Sequence, residues 1–375
     1  MKKVVVALVV AVLALALAAC GQKRTYEIAL VTDVGTINDK SFNQGAWEGV
    51  VKYAKEHKIS YKYYQPDTKS TDDYVESIEI AIENGAKIVV TPGFLFENAI
   101  WIVQNDYPEV KFILLDGAPH NVSDWGTATV PPTTLDGGPM NFDMADNVFS
   151  IFYAEEESGF LAGYAAVKEG FTKLGFMGGM SVPAVVRFGY GFVQGANYAA
   201  NEMGLANGAI TIKYEYLNSF APDAAHQTKA ASWYTAGTEV IFVAAGGAGN
   251  SVMKAAEGIA NKYVIGVDVD QKAESDRIIT SAMKELGNSV YQTLEKIYDD
   301  NATGGASVTL DATVDGIGLP ADFSRFNTFT QAMYDTIFAK VEAKQVTIVK
   351  DKDAQGNAVA VTALVVPKVA LQVIS

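Results

Sequence analysis

Four short segments of this chain carry groups able to grip a small polar molecule, and a single cysteine carries a nucleophile. The first segment is residues 32–45, TDVGTINDKSFNQG. Asp33, Asn38 and Asp39 offer acceptor oxygens there, and Phe42 and Asn43 set an aromatic face beside an amide. In the same stretch Ser41 reads equally as a helix N-cap and Phe42 as core. The second segment, FILLDG at 112–117, ends an apolar run in Asp116. Its carboxylate can accept two hydrogen bonds from a ligand or cap the following turn. The third, AAGGAGN at 244–250, lets backbone N–H groups at Gly246 and Gly247 approach a ligand closely. Its spacing is neither GxGxxG nor a loop ending in GKS or GKT, so it is no phosphate signature. The fourth pairs VDVDQ at 267–271 with TSAMK at 280–284. Asp268 and Lys284 end neighbouring apolar runs, as a salt-bridged pair holding the chain together or as groups for a polyhydroxyl ligand.

None of these segments forms a catalytic constellation. His57 lies in a charged helical stretch, His120 in a loop and His226 near a helix start, and each reads as a solvated surface side chain. A GxSxG nucleophile elbow is absent. Three histidines and one cysteine do not make a zinc site of the usual kind. Asp268-Val269-Asp270 is the one hint of a metal-binding cluster, and ligand binding explains it better. The expectation is a binding protein, not an enzyme, with no metal and no cofactor. The formal net charge of −14 argues against nucleic acid as a partner, because phosphate binding needs clustered Lys and Arg. With 49% hydrophobic and 19% charged residues the chain belongs with folded proteins.

The cysteine answers to its position. Residues 1–20 read MKKVVVALVVAVLALALAAC, with Lys2 and Lys3 ahead of an uncharged apolar run. That is a secretory signal pattern, shorter than a comfortable membrane span of ~20 residues. The stretch LAAC at 17–20 resembles a bacterial lipobox, which implies cleavage before Cys20 and a diacylglycerol on its thiol. Residues 1–19 are then a signal peptide and 20–25 a lipidated tether, which places the protein on the extracytoplasmic face of the cell membrane, held by acyl chains.

Around these segments the chain alternates short apolar runs with amphipathic stretches. Residues 26–32, 59–64, 87–90 and 111–115 read as strands, and 41–57, 72–84 and 98–105 as helices. This rhythm implies a parallel sheet covered by helices. Residues 121–147, rich in Pro and Gly, read as a long surface loop leading to a crossover strand at 148–153. The rhythm then restarts, with helices at 160–168, 188–203, 224–236, 251–262 and 287–298. Strands fall at 173–177, 210–216, 240–244, 264–267 and 278–283. From residue 346 the tail reads as strand, with a turn at Gln355-Gly356-Asn357. Two consecutive α/β halves of about 150 residues suggest a two-lobed protein. Ligands of such sheets bind at the C-terminal ends of the strands, where all four segments lie.

Taken together and in order, the segments resemble the BMP (basic membrane protein) family. The lipobox at Cys20, the Asp-Lys-Ser-Phe-Asn-Gln core at 39–44 and ILLDG at 113–117 carry the resemblance. So do EEESGFLAGYAA at 155–166, FGYGFVQGA at 188–196, AAGGAG at 244–249, GVDVDQ at 266–271 and TSAMK at 280–284. The resemblance implies a substrate-binding lipoprotein of an ABC importer, with purine nucleoside as ligand and the transporter permease as partner. It implies a type I periplasmic-binding-protein fold, two Rossmann-like lobes with parallel sheets joined by a three-strand hinge around the ligand cleft. Lobe one is then 26–148 plus about 276–300, and lobe two 149–275 plus about 301–375. By the same resemblance the purine stacks between Phe42 and Phe220, one from each lobe. Asn43 and Asp116, with Asp33 nearby, hold the base edge, and Asp268 and Lys284 hold the ribose side beside Gly246 and Gly247. Sugar-binding or ligand-sensing receptors of the same fold are the alternative, and a nucleoside hydrolase a weaker one. The family name does not describe this acidic chain, and its 121–147 loop and C-terminal segment depart from the pattern.

Overall fold

Short, wholly apolar runs dictate the architecture. Ile28–Val31 (β1) and Val240–Ala244 (β8) are buried along their whole length, as strands covered by helices on both faces must be. The computed structural model describes residues 24–33, 35–122 and 134–374. Cys20 and the signal pattern lie outside the described residues.

In the first half, Phe42–His57 (α1) follows β1 and lays Ala46, Val50, Tyr53 and Ala54 on the sheet. It stops where Lys58 turns left-handed, at φ 57°. Tyr61–Tyr64 (β2), Thr71–Glu83 (α2), Ile88–Pro92 (β3), Glu97–Asp106 (α3) and Lys111–Leu115 (β4) complete the expected rhythm. Val148–Tyr153 (β5) follows the long loop. The second half contains Glu155–Glu169 (α4), Lys173–Gly178 (β6), Pro183–Glu202 (α5), Ile210–Tyr216 (β7), Ala224–Thr235 (α6) and β8. Gly249–Glu257 (α7), Tyr263–Asp268 (β9) and Ile278–Lys284 (β10) follow. The chain ends with Leu286–Asp299 (α8), Ala306–Leu310 (β11), Ile317–Gly318 (β12), Gln331–Glu342 (α9) and Val369–Val373 (β13).

The strands form two sheets, ordered β11-β5-β4-β3-β1-β2 and β12-β10-β9-β8-β6-β7-β13. Every pairing is parallel except that of the short β12 with β10. With its helices each sheet forms a lobe, giving the α/β two-lobed fold expected.

The passages between lobes differ from the expected divisions at 148, 276 and 300. β5 pairs with β4 on one side and β11 on the other, so it is an interior strand of the first sheet. β10 pairs with β9 in the second. The chain therefore crosses after Tyr153, after Lys284 and after Leu310. An apolar strand must pair its backbone on both edges, and its side-chain pattern does not say with which sheet. The tail also differs. Apart from the Lys352–Ala358 bridge around a turn, a 3-10 turn at Val361–Ala363, and β13, residues 346–374 are irregular; Gly356 in the bridged turn has φ 83°. The long loop carries a bridge between Val122 and Thr134, and its residues 123–133 lie outside the described residues.

Candidate functional site

The C-terminal ends of β1, β3 and β4 face those of β6, β7, β8 and β9 across a cavity of about 510 Å³. Asp33, Phe42, Asn43 and Asp116 lie on its first-lobe wall, and Phe220, Gly246, Gly247, Asp268 and Lys284 on its second. The structure thus brings all nine anticipated residues to one cleft. Asn38, Phe94, Met180 and Asn218 also line it, and sequence reasoning gave the last three no place.

The first wall is built by one aspartate that caps a helix. Asp39 accepts from the backbone N–H groups of Ser41, Asn43 and Gln44 at 2.9, 2.9 and 3.1 Å, closing the exposed donors of α1. Its Oδ2 also takes the Asn43 amide at 3.0 Å, and that amide donates to Asp33 Oδ1 at 2.9 Å. Asp33 Oδ1 further accepts from Gly35 N–H at 2.7 Å. Burial pushes the Asp33 carboxyl up to about 6, against the pull of these two donors.

Ser41 stands at the N-cap position, but its side chain makes no capping bond. Its Oγ donates instead across the cleft to Asp268 Oδ2 at 2.5 Å. Asp116 and Asp268 both adopt left-handed backbone, with φ of 56° and 67°, as does Asn218 at 57°. Such residues cost on the order of 1–3 kcal/mol each and cluster where geometry serves a site.

Lys284, 4% exposed, reaches past its expected partner. Its Nζ lies 2.5 Å from Asp116 Oδ2 and 3.1 Å from Glu155 Oε1, but 4.0 Å from Asp268 Oδ1. Asp268 is thus the most distant of three carboxylates that share Lys284. The two strand ends are neighbours, but the lysine stem is long enough to choose carboxylates on other elements. Burial opposes the ammonium charge, yet Asp116, Glu155 and Asp268 together hold its pKa above the ordinary lysine value. The rings of Phe42, Phe188 and Tyr153 surround it, with centroids 4.8, 5.3 and 5.4 Å from Nζ. Burial drives the Asp268 carboxyl up as well, with Lys284 and Ser41 opposing.

Opposite Phe42, Phe220 follows β7 and packs over Gly179, where a Cβ would stand 2.3 Å from the ring. The Phe220 carbonyl accepts from Ala248 N–H at 2.8 Å, which ties the ring to the Gly246-Gly247 turn. Gly246 holds left-handed backbone there, at φ 52°.

His120 departs from expectation. It is 8% exposed, and its Nε2 lies 3.1 Å from Glu97 Oε2. Asn98 donates to the carbonyls of His120 and Val122 at 2.7 and 2.9 Å, pinning the start of the long loop. A loop histidine has no periodicity to betray its burial. Glu155 opens the family motif at 155–166, but its place ahead of the expected helix at 160–168 gave it no role in the cleft. Among the described residues no cluster of His, Cys, Asp and Glu suited to a metal ion comes together, and no helix is long and apolar enough to cross a membrane.

Known proteins share this fold. A crystal structure of an ABC transporter solute-binding protein from Aeropyrum pernix superposes with a TM-score of 0.69 at 22% identity, over 88% of this chain and 95% of that one. A second, from Conexibacter woesei, gives 0.64 at 19% identity, over 87% and 99%. These likenesses concern the fold. In sequence, the chain is 31% identical over 322 residues to the ABC transporter nucleoside-binding protein BmpA of Lactococcus lactis, covering 80% of this chain and 83% of that one. It is 31% identical over 301 residues to basic membrane protein B of Borreliella burgdorferi, covering 78% and 80%. The family described as ABC transporter substrate-binding protein, PnrA-like, matches residues 27–353, a span that takes in every strand but β13 and every cleft residue described above. With the family match over that length and a relative 31% identical across 83% of its own, the chain belongs to the PnrA-like family of ABC transporter substrate-binding proteins.

Proposed function

We propose that this chain captures purine nucleosides outside the cytoplasmic membrane, tethered by acyl chains on Cys20, and delivers them to the permease of an ABC importer. One observation carries the ligand class. Aromatic rings from different lobes, Phe42 and Phe220, share a cavity with carboxylates that keep oxygens free beside Lys284. A flat base between rings gains about 0.5–1.5 kcal/mol per stack beyond burial. Ribose hydroxyls donate to carboxylates through charge-assisted bonds, which are the strong ones. Asp33, Asp39, Asp116 and Asp268 outnumber Lys69 and Lys284 on the walls, which favours a neutral, hydroxyl-rich ligand over a phosphorylated one. Because the walls belong to different lobes, a bound ligand bridges them and favours closure, the state an importer can read. The nucleoside-binding relative supports the same class.

Calorimetry of protein stripped of co-purified ligand, with adenosine, guanosine, inosine, cytidine and ribose, tests the reading. Purine nucleosides should bind and free ribose should not, and Phe42→Ala should weaken binding by roughly tenfold. Heat with ribose alone would move the chain to the sugar binders. Release of free base during incubation would make it a hydrolase.

A further inference from the structure

A carboxylate that does not line the cleft is joined through Lys284 to two that do. Glu155 opens α4 immediately after the first passage between lobes and is fully buried. Its Oε1 faces Lys284 Nζ at 3.1 Å, and its Oε2 takes Arg187 Nη1 at 3.0 Å. Arg187 in turn donates from Nε to Asp351 Oδ1 at 2.9 Å. The charges alternate without a gap from the C-terminal segment to the cleft: Asp351, Arg187, Glu155, Lys284, Asp116. At the inner end, Asp116 uses Oδ2 for Lys284 and its Oδ1 has no hydrogen-bond partner among the described residues. Asp268 gives Oδ2 to Ser41, while its Oδ1 stays 4.0 Å from the ammonium.

We propose that Glu155 is the positioning residue of the cleft: it holds the Lys284 ammonium against Asp116 and back from Asp268, so that one oxygen of each aspartate remains free for ligand hydroxyl groups. Without that anchor the ammonium has only Asp116 and Asp268 to satisfy it. It then moves toward Asp268 and occupies the acceptor the ligand needs. Arg187 has the matching task of sharing the Glu155 charge, so that Glu155 does not draw Lys284 off Asp116; against burial, Lys284 first and Arg187 second hold the Glu155 carboxyl below the ordinary range. The inference rests on the ligand reading above only for what the free oxygens bind.

The electrostatic arrangement predicts opposite signs for two substitutions. Burial pushes the Asp116 carboxyl up to about 7; Lys284 opposes that rise, and the charges of Glu155 and Asp268 add to it. The Tyr153 hydroxyl also faces this group, and Glu156 faces Glu155 and Arg187. Glu155→Gln removes a negative charge and returns Lys284 wholly to the aspartates, so Asp116 should titrate at lower pH. Arg187→Gln leaves Glu155 uncompensated and drawing harder on Lys284, so Asp116 should titrate at higher pH. Carboxyl-carbon NMR of ligand-free, aspartate-labelled protein reads this directly, with the Asp116 signal assigned by its loss in Asp116→Asn. Calorimetry with inosine from pH 5.5 to 8.5 should show affinity lower by roughly tenfold or more in Glu155→Gln. If both substitutions move the Asp116 titration the same way, or neither moves it, Glu155 is a packing residue and the proposal is overturned. Unchanged inosine affinity in Glu155→Gln would overturn it too. Should Glu155→Gln fail to fold, Arg187→Gln still gives the sign. A wild-type protein that takes up no nucleoside refutes the ligand class alone, because the ligand-free titration still decides the role of Glu155.

Discussion

At the scale of single residues, neighbouring side chains of one motif divide two tasks that their types do not separate. Asp and Ser are both good N-caps, and residues 39–41 offer one of each. Asp39 takes the helix end, which frees the Ser41 hydroxyl to reach Asp268 in the other lobe. Asp39→Ala should therefore lower stability by about 1–2 kcal/mol in urea unfolding. Ser41→Ala should leave the capping bonds intact and instead weaken nucleoside affinity by roughly fivefold, since it leaves a buried carboxylate oxygen short of a donor. Equal stability losses and unchanged binding in both variants would show that Ser41 works for the helix after all. The positions of the cleft residues were legible from the sequence because strand ends in parallel sheets converge. Their partners were not. Lys284 looks like a mate for Asp268 by proximity along the sheet, and only packing shows that its stem extends to Asp116 and Glu155.

At the scale of elements, apolar runs announced the strands well, and β5 keeps the expected bounds, 148–153. Two helices were misjudged at their starts. α4 begins at Glu155 instead of 160, because its first turn holds three glutamates that look like loop and are each buried in ion pairs. α5 begins at Pro183, a favourable first helical residue. The motifs that carry the family resemblance at 155–166 and 188–196 turn out to be one helix pair packed backbone to backbone. A Cβ on Gly159 would stand 2.1 Å from the Phe188 carbonyl oxygen, and one on Gly191 2.0 Å from that of Glu156. The glycines thus set the close approach that places Glu155 and Arg187 side by side. Gly191→Ala should destabilise the protein by about 1–3 kcal/mol or more through overpacking. Gly258→Ala, where the nearest neighbour atom is 3.7 Å away and φ is −73°, should change stability by no more than about 0.5 kcal/mol. Urea midpoints that rise equally in the two variants would mean that helix propensity, and not interhelical contact, governs both sites.

At the scale of the whole molecule, the lobes touch beside the cleft as well as along the three passages. Gln271, 2% exposed, spans that contact. Its Oε1 accepts from Val267 N–H at 2.9 Å within the second lobe, and its Nε2 donates to the Lys40 carbonyl of the first at 2.7 Å. Lys40 holds left-handed backbone at φ 62° there, and its ammonium pairs with Glu274 at 3.5 Å. The bond across the lobes adds to closure in the absence of ligand. A net hydrogen bond of about 1 kcal/mol corresponds to roughly a fivefold change in the ratio of open to closed molecules. Gln271→Leu keeps the volume and removes both bonds, so it separates the two roles by readout. Loss of the Val267 bond lowers unfolding stability whether or not the lobes respond. Loss of the Lys40 bond should raise the radius of gyration of the ligand-free protein in small-angle scattering, with saturating nucleoside restoring the wild-type value. It should also weaken apparent affinity by up to the same factor, because ligand must then supply the closure that Gln271 supplied. A destabilised variant with an unaltered scattering profile and unaltered affinity would reduce Gln271 to a prop of the second lobe, and closure would then depend on the ligand and the cleft residues alone.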